Sequence, residues 1–377
     1  MSESRVNLLG LTRHELEGFC SSVGQKSYRA GQIFQWLYGK SVSSFDGMTD
    51  LGKDLRERLS EGATLEGITP VTSQVSGVDG TAKYLFSLRD GLLIESVLIP
   101  PTRKREDRVK ADEDLKRLTL CVSTQAGCPL DCKFCATATM GFQRNLTTAE
   151  IIDQILRVQS LSGKTITNVV FMGMGEPMIN YDNLMKAIEI ITAGMGIAPR
   201  RVTVSTAGWA DRIRQMGEEQ RMVKLALSLH SAVEETRTTL MPITKKFGIQ
   251  ALRSALEFYY SKTKRFVMYE QVFFEDLNDT DREVRALIKF ARAIPCKINV
   301  IPFHPIGFTH PSGIAATLRP SPRMKEIVEE LRGHKLTVMV RGSSGEDITA
   351  ACGQLAARNG LARPRPTTRS IDVPAGP

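Results

Sequence analysis

The stretch Cys128-Pro-Leu-Asp-Cys132-Lys-Phe-Cys135 dominates the interpretation of this chain, because it holds three cysteines within eight residues. Three thiolates at this spacing can bind three irons of a four-iron cluster and leave the fourth iron without a protein ligand. An iron with an open coordination position can bind a substrate. The spacing therefore predicts an iron-sulfur centre with room for a small molecule.

Zinc is the alternative occupant of a short cysteine cluster. Structural zinc is normally four-coordinate, and its ligands usually come as two Cys pairs or as a Cys pair followed by a His pair. No second pair accompanies this loop, and no histidine lies near it, although Cys121 could serve as a fourth ligand. The spacing favours a cluster over zinc, and it favours either metal site over cysteines that merely pack in a core.

Further motifs lie on both sides of the loop. They are Leu120-Cys121-Val122-Ser123, Gly141-Phe142-Gln143-Arg144-Asn145-Leu146, Gly173-Met174-Gly175-Glu176-Pro177, Ser228-Leu229-His230 and Ala351-Cys352-Gly353-Gln354-Leu355-Ala356. With these motifs the chain resembles the RlmN/Cfr family of radical S-adenosylmethionine (SAM) RNA adenine methyltransferases, from about residue 28 to about residue 356. The resemblance implies a [4Fe–4S] cluster on Cys128, Cys132 and Cys135. It also implies that SAM binds the open iron through its amino and carboxylate groups.

Composition sets the class of protein. A chain of 377 residues, 42% hydrophobic and 24% charged, is expected to form one large soluble domain with a smaller one attached. The chain has no apolar run of membrane-spanning length, and Met1-Ser-Glu-Ser-Arg5 does not resemble a signal peptide, so we expect a cytoplasmic protein without membrane contact. Seven cysteines in such a chain predict reduced thiols. A net charge of +9 is compatible with RNA as a partner.

The hydrophobic pattern predicts an α/β protein. Residues 1–65 are interpreted as a helical accessory domain, 66–114 as a β meander with a charged linker at 103–114, and 357–377 as a disordered tail. Between them, strands are predicted at 118–123, 168–173, 201–206, 223–229, 266–274, 297–303 and 335–341. Helices are predicted between the strands near 148–160, 182–193, 209–217, 249–262, 281–294 and 322–332. The alternation predicts a partial (β/α)6 TIM-like barrel over 115–356, with its site at the carboxyl ends of the strands.

Strand alternation suggests which side chains face the barrel interior. Cys121 lies on the more polar face of the first barrel strand, and Ser228 and His230 share one face of the fourth. The turn Gly173 to Pro177 directly follows a strand, its glycines allow a close backbone approach to a ligand, and its carboxylate, Glu176, could receive the SAM ammonium group.

The resemblance assigns further roles. It implies SAM contacts at Gly175, Glu176, Ser205, Ser228, Leu229 and His230. It also points to His304, which stands where the family commonly has an asparagine. Glu95 matches a position to which the family assigns proton handling, while Cys20 and Cys296 are interpreted as core residues.

The resemblance also implies a chemical route. Adenine C2 lies between two ring nitrogens and is electrophilic, so it cannot attack the electrophilic methyl group of SAM. In the family, the thiolate at the position of Cys352 takes a methyl group from one SAM. A second SAM is cleaved to methionine and a 5′-deoxyadenosyl radical, which activates the methylated cysteine for addition to the adenine. The thiol at the position of Cys121 then assists proton loss and forms a disulfide with Cys352, which releases the RNA.

The expected substrates are 23S rRNA and an adenine beside the anticodon of tRNA, with an electron-donor protein such as flavodoxin as a further partner. Two alternatives stay open at this point. A Cfr-type enzyme would methylate adenine C8 with the same motifs. A non-catalytic, zinc-stabilised RNA-binding protein would explain the charge and the cysteine loop, but it gives Glu176 and Cys352 no purpose.

Overall fold

A computed structural model describes residues 5–101 and 117–356, together with the backbone of 369–371. Its strands are β1 Val6–Asn7, β2 Ala63–Thr64, β3 Thr69–Val75, β4 Ala82–Ser87, β5 Leu93–Ile99, β6 Thr119–Cys121, β7 Gln125–Gly127, β8 Phe142–Asn145, β9 Asn168–Phe171, β10 Val202–Thr206, β11 Lys224–Ser228, β12 Val267–Gln271, β13 Cys296–Val300, β14 Val338–Val340 and β15 Arg369–Ile371. Its α-helices are α1 Arg13–Ser22, α2 Tyr28–Phe34, α3 Lys53–Gly62, α4 Thr148–Ser162, α5 Tyr181–Glu189, α6 Ala210–Glu218, α7 Glu234–Leu240, α8 Ile249–Thr263, α9 Asp281–Ala291, α10 Ile314–Thr317 and α11 Met324–Gly333.

One large sheet organises the molecule. Its strand order is β14-β13-β12-β11-β10-β9-β6-β5-β4-β3-β15. The seven strands from β14 to β6 are all parallel, whereas β5, β4, β3 and β15 continue the sheet antiparallel. Because β6 pairs with β5 and not with β14, the parallel strands form an open barrel. The predicted partial barrel is confirmed.

The antiparallel strands β3, β4 and β5 form the predicted β meander, and this meander continues the barrel sheet. Val97 of β5 is directly opposite Cys121 of β6, so the meander extends the barrel sheet. The five central residues of β5, Ile94 to Leu98, are all buried, which shows that both faces of this strand are covered. Two of these five residues, Glu95 and Ser96, are polar, so the apolar pattern of the strand alone does not reveal that both faces are covered.

Strand register defines the side chains that face the barrel interior. Ser205 lies opposite Ala226, and Ser228 lies opposite Glu270 on the next strand. Cys121 lies opposite Val170 at the other side of the barrel sheet. Successive side chains in a strand point to opposite faces, so these residues share the interior face with their cross-strand partners.

The N-terminal helices pack on the outside of the barrel. Thr12 caps α1 in a capping box with Glu15, and Glu15 also pairs with Lys186 of α5. Gly10 approaches the backbone of α4 so closely that a Cβ there would lie 2.5 Å from the Ala149 nitrogen. These contacts fix the small helical unit against the barrel.

Two predicted segments lie wholly or partly outside the described residues. The charged stretch 103–114 is outside them, and so are 357–368 and 372–377 of the predicted tail. Residues 369–371 form β15, which pairs antiparallel with β3. Among the described helices, none combines the length and the hydropathy needed to cross a membrane.

Candidate active site

The cysteine loop leaves the short hairpin β7–β8 and is held by backbone hydrogen bonds. The Cys128 N–H donates to the Gly141 carbonyl at 3.0 Å, which closes the loop at its base. The Lys133 N–H donates to the carbonyl of Leu240, the last residue of α7, at 3.0 Å. The loop is therefore tied both to its own hairpin and to a helix that follows the fourth parallel strand, β11.

The segment that carries Cys352 is fastened to the same loop. The Ala136 N–H donates to the Gly353 carbonyl at 2.7 Å, and the Thr137 hydroxyl donates to the Leu355 carbonyl at 2.7 Å. Thr137 and Leu355 are 218 positions apart in the sequence. Long-range hydrogen bonds thus bring Cys352 beside the three loop cysteines.

Most of the predicted site residues line one cavity, here called the main cavity. Its walls include Cys128, Cys132, Cys135, Gly175, Glu176, Ser205, Ser228, His230, His304 and Cys352. They come from the cysteine loop, from the carboxyl ends of the parallel strands, and from the C-terminal segment. Of the predicted SAM contacts, only Leu229 is absent from these walls, and it is fully buried.

The chemistry of the loop cysteines fits an iron-sulfur cluster. Burial raises the pKa of Cys128 to about 12, and burial together with repulsion from Cys135 and Cys128 raises the pKa of Cys132 well above its ordinary value. Thiols that repel one another as thiolates become stable ligands when a bound metal replaces their protons.

A zinc ion and an iron-sulfur cluster place different demands on three thiols. In 5–101 and 117–356, no three His, Cys, Asp or Glu side chains converge as ligands of one metal ion would. A zinc ion needs its sulfur ligands at about 2.3 Å from a single point. In a cluster each cysteine binds a different iron, so the three thiols need no common centre.

The glycines of the turn after β9 serve packing within the protein. A Cβ on Gly173 would lie 2.7 Å from the backbone of Val122, and one on Gly175 would lie 2.4 Å from the Gln125 side chain. Gly175 also has φ of 96°, in the region that favours glycine. Glycine is therefore required at both positions because the turn packs closely against the β6–β7 segment. The predicted backbone approach to a ligand stays a prediction.

Glu176 is a buried carboxylate at the cavity wall. Its oxygens accept hydrogen bonds from the N–H groups of Met178 at 3.0 Å and Ala207 at 2.8 Å. Its side chain is 3% exposed, and burial raises its pKa against the effect of these hydrogen bonds. Neither hydrogen-bond donor is a cation. A carboxylate so placed has the character needed to receive an ammonium group from a ligand.

His230 links the end of β11 to the cysteine loop. Its backbone adopts φ of 54°, which is uncommon for a residue other than glycine, and its Nδ1 accepts a hydrogen bond from the Val272 N–H at 3.1 Å. Its ring meets that of Phe134 edge-on at 4.5 Å. Burial, helped by the charge of Arg237, lowers its pKa to about 3, so the imidazole is neutral with its proton on Nε2.

His304 has protein partners on both ring nitrogens. Nε2 lies 2.7 Å from the Ser343 hydroxyl, and Nδ1 lies 3.3 Å from a Glu346 carboxylate oxygen. Both partners belong to the segment after β14. The predicted SAM contact of His304 stays a prediction, and a ring nitrogen would have to exchange one of these partners to make it.

Cys121 and Cys352 share a second, smaller cavity, here called the side cavity, which is also lined by Met172, Ile301, His304 and Arg341. Both cysteines are free thiols. Burial raises the pKa of Cys121 to about 12, and Cys352 adds to this shift. Cys352 is solvent-exposed, yet the surrounding protein also raises its pKa, while the nearby cation Arg341 opposes the rise. Cys352 lines both cavities, so the side cavity adjoins the main one.

Glu95 lies behind the Cys352 segment and lines neither cavity. It is 5% exposed, pairs with Lys83 at 3.3 Å and accepts a hydrogen bond from the Ala356 N–H at 2.9 Å. Burial raises its pKa, and Lys83 acts in the opposite direction. Glu95 is therefore a buried carboxylate and does not lie on a solvent-facing side of its strand.

Glu270 was missed by the sequence reasoning. It is 2% exposed and lines the main cavity. One carboxylate oxygen accepts a hydrogen bond from the Asn299 amide at 2.7 Å. The other oxygen, Oε1, has no hydrogen-bond partner among the described residues. An unsatisfied buried acceptor at a cavity wall fits a ligand that donates a hydrogen bond. The alternation test applied to β12 would have placed Glu270 on the same face as Ser228.

Comparisons with known proteins give the class and the family. Residues 6–65 match the ribosomal RNA large subunit methyltransferase N-terminal domain, and residues 122–291 match the radical SAM superfamily. A probable dual-specificity RNA methyltransferase RlmN from Christiangramia forsetii is 41% identical over 364 residues, which cover 94% of this chain and 97% of the relative. The dual-specificity RNA methyltransferase RlmN from Syntrophobacter fumaroxidans is 40% identical over 354 residues, which cover 93% of this chain and 97% of the relative.

A crystal structure of a radical SAM methyltransferase from Sphaerobacter thermophilus is similar throughout. It superposes with a TM-score of 0.82 at 38% identity and covers 94% of this chain and 100% of that chain. A three-cysteine loop at the mouth of a partial parallel barrel defines a radical SAM protein. The chain belongs to the RlmN family of radical SAM RNA methyltransferases. The predicted family is confirmed.

Proposed function

We propose that the protein methylates C2 of an adenine in 23S rRNA, and of the adenine beside the anticodon in tRNA, through a methylated Cys352. The observation that carries the proposal is the position of two free thiols, Cys121 and Cys352, in one side cavity that adjoins the main cavity. Of two thiols so placed, one can carry the methyl group, and the other can then form a disulfide with it.

The main cavity has the residues for SAM and the cluster. Cys128, Cys132 and Cys135 would hold three irons, and Glu176 would receive the SAM ammonium group. Gly175, Ser205, Ser228 and His230 would line the remainder of the SAM site. When bound, a reduced [4Fe–4S] cluster supplies the electron that cleaves SAM to methionine and a 5′-deoxyadenosyl radical.

The two thiols provide an indirect route for the methyl group, because electrophilic adenine C2 cannot attack the methyl group of SAM directly. The Cys352 thiolate attacks the methyl carbon of SAM, so a carbon-sulfur bond forms on the cysteine while S-adenosylhomocysteine leaves. Arg341 favours that thiolate, because its positive charge opposes the rise in the pKa of Cys352 that the surrounding protein causes. Methylated Cys352 would lose a hydrogen atom to the 5′-deoxyadenosyl radical, and its methylene carbon would then join adenine C2. The adduct would return one electron to the oxidised cluster and lose the C2 proton, after which the Cys121 thiolate attacks the Cys352 sulfur. A disulfide forms, the carbon-sulfur bond breaks, and the carbon takes a proton.

Glu95 is proposed to handle a proton in this exchange. Its raised pKa suits a carboxyl group that alternates between protonated and ionised forms, and its hydrogen bond to Ala356 holds it against the segment of Cys352. Reduction of the disulfide and of the cluster requires an outside electron donor, for which we propose a flavodoxin-like protein.

The relatives support the proposal of two RNA substrates. Their names describe dual-specificity RNA methyltransferases, and the N-terminal match over residues 6–65 is to the ribosomal RNA large subunit methyltransferase N-terminal domain. The rival C8 activity would use the same cysteines, so the position of the new methyl group decides between the two.

The expected product is 2-methyladenosine. The test uses the full chain reconstituted anaerobically with iron and sulfide, and supplied with SAM, reductant and unmodified 23S rRNA or tRNA. Nucleosides from the digested RNA are compared with 2-methyl and 8-methyl standards by mass spectrometry. An 8-methyl product would overturn the C2 assignment, and a preparation that binds zinc without iron and transfers no methyl group would favour the non-catalytic RNA-binding alternative.

A further inference from the structure

A guanidinium group is buried beneath the active site, and among the described residues its hydrogen-bond acceptors are backbone carbonyls and a hydroxyl rather than carboxylates. Arg237 lies on α7 and is 0% exposed. Its Nε donates to the Leu229 carbonyl at 3.1 Å, Nη1 to the Thr244 hydroxyl at 2.6 Å, and Nη2 to the carbonyls of Ala207 at 2.5 Å and Ser228 at 3.1 Å. Four hydrogen bonds use most of the five N–H groups of the side chain.

Three of these acceptors belong to the strand ends that form the main cavity. Ala207 follows β10, Ser228 ends β11, and Leu229 directly follows β11. The N–H of Ala207 also donates to Glu176. One rigid, planar group therefore fixes the two strand ends that present Ser205, Ser228 and His230 to the cavity, because a guanidinium cannot shift one hydrogen bond without disturbing the others.

The charge of Arg237 has no carboxylate among its hydrogen-bond acceptors. A buried charge is costly unless an opposite charge compensates it. Two groups near Arg237 can offset its charge: the Glu234 carboxylate, and Cys132, whose sulfur would be a thiolate once it binds iron. Glu234 accepts from the Ile249 N–H at 2.7 Å, at the start of α8. As an iron ligand, Cys132 would therefore supply the opposite charge on the side of the cavity.

Arg237 stays charged in this position. Burial lowers its pKa to about 10, an effect that Cys132 and Glu234 oppose, so the side chain is a cation at neutral pH. The backbone hydrogen bond from Lys133 to Leu240 joins the cysteine loop to the carboxyl end of α7. It therefore holds the loop at a fixed position relative to the Arg237 guanidinium, which α7 also carries.

We propose that Arg237 is a positioning residue for the iron-sulfur cluster: it clamps the two strand ends and supplies a fixed buried positive charge that favours the more negative, reduced state. The inference rests on the proposed function, because it requires a cluster on the loop cysteines. Cluster potentials depend on nearby charge, on hydrogen bonds and on solvent exposure. A cation fixed beside one ligand therefore makes reduction easier.

The test is the midpoint potential of the cluster in the reconstituted full chain, measured by reductive titration with dithionite and followed by electron paramagnetic resonance. Arg237→Met keeps the length of the side chain and removes its charge. We expect the equilibrium constant for reduction to fall at least about tenfold, which for a one-electron couple is about 59 mV. Arg237→Lys retains the charge and is expected to remain within about threefold of the wild type.

A matched variant separates charge from packing. Thr244→Val removes one acceptor of Arg237 and leaves the cation in place, so its potential should match that of the wild type. If Arg237→Met loses the cluster, Arg237→Gln takes its place with the same expectation. A neutral variant with an unchanged potential, or a Thr244→Val shift as large as that of the neutral variant, would overturn the inference. Iron and sulfide analysis separates a failure of this inference from a failure of the proposed function. If the wild type binds no cluster, the proposed function itself is contradicted.

Discussion

Replacement of Cys352 by alanine is expected to lower RNA methylation by about 10³-fold or more, because the variant has no sulfur to accept the methyl group. Cys352 contributes no ligand to the three-cysteine loop, so the variant should bind iron and sulfide as the wild type does. Methyl incorporation from SAM labelled in its methyl group, counted in purified RNA, measures the loss.

The matched control for this variant is Cys296→Ala. Cys296 begins β13, lines neither cavity, and donates a hydrogen bond to the Ala291 carbonyl. Its removal should leave methylation within about threefold of the wild type, as is usual for a residue remote from the reacting groups. Full activity in Cys352→Ala would show that another group carries the methyl.

Replacement of Cys121 by alanine is expected to trap the RNA on the protein. The first thiol can still be methylated and joined to the adenine, but no second thiol is present to attack the Cys352 sulfur. A covalent protein–RNA adduct should therefore accumulate, up to one RNA per protein, while release of methylated RNA falls by about 10³-fold. Denaturing gels and mass spectrometry after nuclease digestion detect the adduct and identify the cysteine that bears it.

The double variant Cys121→Ala and Cys352→Ala is the control, and it should form no adduct. An adduct that survives in the double variant would place the covalent bond elsewhere. Free release of methylated RNA from Cys121→Ala would exclude the disulfide step. Cys121 is fully surrounded by protein in the side cavity, so alanine removes the sulfur without exposing a new surface.

Local patterns predicted the barrel strands and the loop well. The apolar runs and the cysteine spacing are local properties, and alternation correctly brought Ser228 and His230 to the main cavity and Cys121 to the adjoining side cavity. The same test would have found Glu270 had it been applied to β12.

Other parts of the site depend on contacts that no local pattern encodes. Cys352 reaches the loop through hydrogen bonds across more than two hundred residues of sequence, and only the family resemblance pointed to it. Arg237 stands in a polar stretch, Glu234-Glu-Thr-Arg237, that is typical of a solvated helix face, yet the strand ends bury it completely. The continuation of the barrel sheet by β5 likewise follows from long-range pairing rather than from the periodicity of the strand.

The central claim is that the methyl carbon passes through Cys352 and loses one hydrogen there. The most direct test supplies SAM with a fully deuterated methyl group and measures deuterium in the product by mass spectrometry. If hydrogen is removed from methylated Cys352, the RNA methyl group should retain two of its three deuterium atoms, and the third should appear in 5′-deoxyadenosine. A product that retains all three deuterium atoms would contradict this route and require direct transfer of an intact methyl group.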